Sequence, residues 1–189
     1  MKNIFKITIL LLLHINSKAQ TIVHNNTFNQ GSNTGKYFKD LDNNIPAFEG
    51  TWQNTTSNIT FRIILYKETM LPFGSPVDYY SDNMGGSFQI IRDINTANEV
   101  VLHNSVKTYT EGSESFTMSS VFFADASTAA LGGWVRDNCA NGGDGTLVGF
   151  FRLVRLSPTT AHWKVKPGAI KFSFQYYSIP TDVIMTKIN

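Results

Sequence analysis

Between Ile59 and Lys67 the chain alternates in polarity. Ile59, Phe61, Ile63 and Leu65 fall on one face, and Thr60, Arg62 and Tyr66 on the other, with Ile64 as the exception. A period of two marks a strand with one buried face, because successive side chains leave opposite sides of the pleat. Further apolar or alternating runs occur at Val77–Tyr80, Ser87–Ile94, Glu99–Asn104, Val106–Thr110, Ser115–Ala124, Gly133–Arg136, Thr146–Leu156, Ala161–Lys166, Ile170–Tyr176 and Asp182–Ile188. Short strands recurring at this spacing predict an all-β domain. The turn signals between them have a mechanism. Asn95-Thr96-Ala97-Asn98 supplies Asn, which tolerates positive φ, and Glu111-Gly112-Ser113-Glu114 places Gly at a hairpin tip. Asn141-Gly142-Gly143-Asp144-Gly145 reads as a mobile turn, and Pro167-Gly168 suits the centre of a type II turn. Only Ala124–Leu131 suggests one or two helical turns.

Residues 20–44 are rich in Asn, Gly, Ser and Thr and lack periodicity. They predict a flexible or lightly docked N-terminal arm, of which only Tyr37, Phe38 and Leu41 are candidates to pack down, leaving 45–189 as a single β domain. The expected architecture is a single antiparallel up-and-down barrel, with a two-sheet β-sandwich as the alternative.

The first residues change the reading of charge and compartment. Lys2 and Lys6 precede the apolar run Ile7–Leu13, and Ser17-Lys18-Ala19 offers small residues at the −3 and −1 positions of a cleavage site. This is the pattern of a signal peptide over 1–19, with Gln20 as the mature N-terminus. The apolar run is too short to span a bilayer. Export to the periplasm, the envelope or the extracellular space is therefore expected, with no transmembrane segment in the mature chain. The full chain carries 16 Lys+Arg and 14 Asp+Glu; without Lys2, Lys6 and Lys18, 13 basic residues face 14 acidic ones. A near-neutral chain has no electrostatic footprint for nucleic acid. Cys139 is the single cysteine, so no intramolecular disulfide forms, and burial as a small apolar group is the simplest role for it.

Few constellations carry chemistry. Trp52, Trp134 and Trp163, with the many Phe and Tyr residues, are candidates to line an apolar pocket or to stack on sugars, against the simpler role of filling the core. Asp137, Asn141 and Asp144 lie in a segment with the composition of a calcium loop. The EF-hand pattern nevertheless fails, since Cys139 takes the third position and Val148 stands where the bidentate Glu belongs. His24, His103 and His162 are too dispersed for a transition-metal site. Gly85-Gly86-Ser87-Phe88-Gln89 departs from G-x-S-x-G at its last position. Among carboxylates, Glu111 and Glu114 flank a hairpin tip and read as solvated, while Glu49, beside Trp52, and Asp78, near Asp82, are the candidates to meet across a glycosidase-like cleft. No catalytic residue and no cofactor is assigned.

Two resemblances follow. The run Lys39-Asp40-Leu41-Asp42-Asn43-Asn44-Ile45-Pro46-Ala47-Phe48-Glu49-Gly50-Thr51-Trp52, with Ile59–Leu65, Asp78-Tyr79-Tyr80, Gly145-Thr146-Leu147 and Ile179–Lys187, is similar to an exported flavobacterial family, domain of unknown function 6705. That likeness covers nearly the whole mature chain and implies no activity. Gly50-Thr51-Trp52 at the first strand also resembles the G-x-W motif of the lipocalin superfamily. There the Trp plugs the closed end of the barrel beneath a late basic residue, a role the resemblance offers to Arg152 or Arg155. The chain departs from lipocalins in lacking a central T-D-Y motif and a disulfide pair. Together these features lead to the expectation of an exported, non-catalytic, lipocalin-like barrel holding a small hydrophobic ligand. The alternatives are an envelope or surface module contacting glycan or protein through an aromatic sheet face, and a hydrolase on a β scaffold.

Overall fold

The computed structural model describes residues 20–28, 31–105, 118–121, 130–140, 145–167 and 177–188. They form eleven strands: β1 (Thr21–His24), β2 (Lys36–Lys39), β3 (Gly50–Thr56), β4 (Ile59–Phe73), β5 (Tyr79–Arg92), β6 (Val100–Asn104), β7 (Met118–Val121), β8 (Ala130–Ala140), β9 (Gly145–Arg155), β10 (Thr160–Pro167) and β11 (Asp182–Lys187). One large sheet contains them all, in the order β1-β2-β5-β4-β3-β11-β10-β9-β8-β7, with β6 added on β5. β7, at the end of that order, pairs with β8 and also with β5, through Met84↔Ser120, Gly85↔Ser119 and Gly86↔Met118. The sheet is mixed rather than purely antiparallel, because β1 runs parallel to β2 and β2 parallel to β5. The β1 and β2 residues belong to the segment expected as an arm; there Tyr37 and Phe38 are buried, as expected, whereas Leu41 is exposed.

β4 and β5 are longer than their hydrophobic patterns. β4 continues past Lys67 across a bulge between Glu68 and Leu71, where Met70 takes φ +56°. β5 joins two expected strands through Ser81–Gly86, whose polar and glycine residues look like a break in sequence. The strand runs on because Gly85 is needed for close approach rather than for a turn. A Cβ there would sit 2.6 Å from the Tyr66 ring. β8 likewise extends on both sides of the expected Gly133–Arg136. Asn95 adopts positive φ at the expected Asn95–Asn98 turn, and Asp93, expected within a strand, does so just after β5 ends. The expected strands Val106–Thr110 and Ile170–Tyr176, and the turns at 111–114 and 141–144, lie outside the described residues.

The inward rows supply the core. Phe61, Ile63 and Leu65 of β4 meet Met84 and Phe88 of β5, Leu131 and Val135 of β8, Phe151 and Leu153 of β9, Trp163 and Val165 of β10, and Met185 of β11. Aromatic rings fill its centre: Trp163 stacks on Phe151 at 5.1 Å and meets Phe61 at 5.5 Å, and Phe61 approaches Phe88 at 6.2 Å. Such pairs add to the area they bury because ring edges and faces carry opposite partial charge.

Candidate functional site

Gly50 opens β3 at φ +114°, a conformation that glycine alone adopts without strain. The Thr51 carbonyl accepts a hydrogen bond from the amide of Ile188, just past β11, at 2.8 Å, which ties that end of β11 to β3. Trp52 is fully buried, and its Nε1–H donates to the Phe48 carbonyl at 2.8 Å. The Lys187 ammonium lies 5.4 Å from the centre of the Trp52 ring. The cation over Trp52 is thus Lys187, not Arg152 or Arg155. Arg155 lies over the Phe48 ring instead, and Arg152 faces outward, because it alternates with the buried Phe151 and Leu153.

Beside this end sits a buried polar group. Lys67 continues the inward row of β4, and its Nζ lies 3.4 Å from Asp40 Oδ2 and 3.8 Å from Asp82 Oδ2. Asp82 Oδ1 accepts from the Tyr37 hydroxyl at 2.5 Å and from the Met70 amide at 3.1 Å, and Oδ2 accepts from the Asp40 amide at 3.1 Å. The positive φ of Met70 therefore turns an N–H toward a buried carboxylate. Asp40 accepts from the Asn44 and Ile45 amides at 2.9 and 3.0 Å, fixing the 3-10 turn Ile45–Ala47 that leads to Trp52. Burial, reinforced by the Asp82 carboxylate, pushes the Tyr37 phenol far above its usual range. These bonds and ion pairs tie residues 37–45 to β4 and β5.

The remaining sequence candidates separate. Trp163 is fully buried, with Nε1–H donating to the Pro180 carbonyl at 2.8 Å. Trp134 points the other way and is 49% exposed. Asp137 is buried, and its carboxylate accepts from the Ser178 amide at 2.6 Å, the Ser178 hydroxyl at 2.7 Å and the Ile179 amide at 3.3 Å. Asn141 and Asp144 lie outside the described residues. Glu49 accepts from the Lys67 amide at 2.8 Å and Asp82 is buried, while Asp78 is exposed, just after the turn at 74–77. Ser87 lies in the interior of β5, not at a strand-to-helix elbow. His24 pairs with Asp42 and His162 with Asp182. Among the described residues no group of His, Cys, Asp and Glu is placed to hold a metal ion.

The outward face of β8, β9 and β10 is the remaining candidate. Trp134 stands opposite Phe150, with ring centres 5.8 Å apart and planes at 87°, and Phe150 stands opposite Lys166. One step along the strands Arg152 pairs with Lys164; one step the other way Arg136 pairs with Val148. Arg136, Arg152, Lys164 and Lys166 are all exposed. The four cations were legible: each alternates with a buried apolar residue in the runs W-V-R, R-L-V and K-V-K. Lys67 was equally legible as the charged continuation of an inward row.

All of this belongs to an all-β chain. Over residues 1–188 the chain matches a family of unknown function (DUF6705), and it belongs to that family. No curated protein and no solved structure matches it. Among the described residues no helix is long and apolar enough to cross a membrane.

Proposed function

We propose that the chain is an exported, non-catalytic β-barrel module that binds a glycan through the outer face of β8–β10. The observation that carries the reading is the opposite fate of two tryptophans. Trp163 is sealed in the core, whereas Trp134 presents a half-exposed ring edge-on to Phe150. A large aromatic left in water is unfavourable for folding and suits the stacking of sugar rings. Pairing of β7 with both β8 and β5 supports closure of eight strands into a barrel, and Lys187 over Trp52 supports a plugged end. A ligand held inside finds less support, since the rings that would line its cavity pack on one another.

The test is retention of the purified protein on immobilised envelope glycans, comparing wild type with Trp134→Ala. Loss of retention in the variant, with its thermal midpoint unchanged, supports the outer face. Equal retention, or a lipid that co-purifies and is seen in native mass spectra, would overturn it.

A further inference from the structure

We infer that the glycan is acidic, a polysaccharide bearing carboxylates along its chain; this rests on the reading of the β8–β10 face above and adds the chemistry of its partner. The face has three rows. The middle row is Trp134, Phe150 and Lys166; Arg152 and Lys164 form the row on one side, and Arg136 with Val148 the row on the other. An aromatic strip is thus flanked by cations on both sides. Neighbouring strands stand about 4.8 Å apart and alternate residues along a strand about 6.6 Å. A sugar ring lying on Trp134 therefore has cationic groups within one residue's reach to either side.

The charges are a local feature. From residue 20 onward 13 basic residues are offset by 14 acidic ones, yet four of the basic ones gather here. Asp182, paired with Lys164 at 3.5 Å and with His162, is the one carboxylate that the described pairings bring to this face. Arg152 and Lys164 stand directly opposite each other across β9 and β10. Like charges in that relation destabilise a sheet. Among the described residues Arg136, Arg152 and Lys166 have no ion-pair partner. A carboxylate-bearing ligand relieves that repulsion, and the planar guanidinium of Arg152 or Arg136 matches a carboxylate in a two-pronged hydrogen bond. A single-stranded nucleic acid offers rings and anions too, but it requires an extended basic track that a near-neutral chain lacks.

The experiment is affinity electrophoresis of the purified protein in gels containing polygalacturonate, a neutral galactan, or oligothymidylate. Polygalacturonate should retard the wild type most, and added salt should weaken the effect. Arg152→Gln/Lys164→Gln should lose about tenfold in affinity for it while keeping the wild-type circular dichroism and thermal midpoint, both side chains being exposed. Equal retardation by the galactan, insensitive to the double substitution but abolished by Trp134→Ala, would overturn the acidic partner and leave the glycan face standing. Retardation by neither polysaccharide would overturn both. Tighter binding of oligothymidylate would replace the acidic glycan with nucleic acid.

Discussion

Replacing Lys67 with Met tests whether the ammonium is what allows Asp40 and Asp82 to share a buried site. The two carboxylates come from different parts of the chain, and their side chains are 0% and 1% exposed. Lys67 itself is only 20% exposed and lies 3.4 and 3.8 Å from them. At an effective dielectric constant near 20, each attraction is on the order of 4–5 kcal/mol before desolvation. Desolvation of the ammonium offsets much of this, and the main-chain donors and the Tyr37 hydroxyl remain on the carboxylates after the substitution. The net loss on removing one partner of a buried ionic group is therefore expected at about 2–4 kcal/mol. In urea unfolding, with a slope of about 2 kcal/mol/M, the midpoint should fall by roughly 1–2 M. Adding Asp82→Asn to Lys67→Met should recover part of the loss, because it removes one uncompensated negative charge. A loss below about 0.5 kcal/mol, the usual range for a surface change, would refute the reasoning.

Other outcomes follow from the same geometry. Tyr37 has its phenol raised above the ordinary value of 10.0, first by burial and then by Asp82. A raised value favours the neutral phenol in the folded state, so its contribution is present below pH 10.0 and is lost as pH climbs beyond it. Urea midpoints measured through that alkaline range should fall in wild type and fall less in Tyr37→Phe. At Gly149 a Cβ would lie 2.6 Å from the Tyr177 hydroxyl, 2.8 Å from Val165 Cγ1 and 3.0 Å from the Lys166 carbonyl oxygen. Gly149→Ala should therefore destabilise by about 1–3 kcal/mol, measured by thermal or urea unfolding. Trp163→Ala should lower stability by roughly 3–5 kcal/mol, whereas Trp134→Ala should stay within about 0.5 kcal/mol of wild type in the same assay.

What was legible in the sequence was the periodicity. The alternation of Ile59, Phe61, Ile63 and Leu65 placed β4 with its buried face correct, and the β class followed from repeating such runs. Strand length was not legible where polar atoms are satisfied by distant partners. Asp82 looks like a surface residue until Tyr37 and Lys67 are brought to it from other strands. Gly85 looks like a turn until the Tyr66 ring crosses it. The parallel pairing of β1 and β2 escaped for a related reason: Asn-rich segments hide a four-residue strand whose order depends on the aromatic group of Phe28, Phe38 and Tyr79. G-T-W fixed the place of Trp52, but the basic residue over it came from β11, because only the strand order brings Lys187 opposite Trp52. The outward cations were readable one by one, and their convergence needed the β8–β9–β10 register.

The most direct measurement exploits the three tryptophans of the chain, whose indole N–H groups give separate nuclear magnetic resonance signals. On titration with polygalacturonate the Trp134 signal should move, while those of Trp52 and Trp163, each hydrogen-bonded to a main-chain carbonyl, stay in place. Movement of Trp52 or Trp163 with Trp134 unchanged would contradict the outer-face account and return the ligand to the interior.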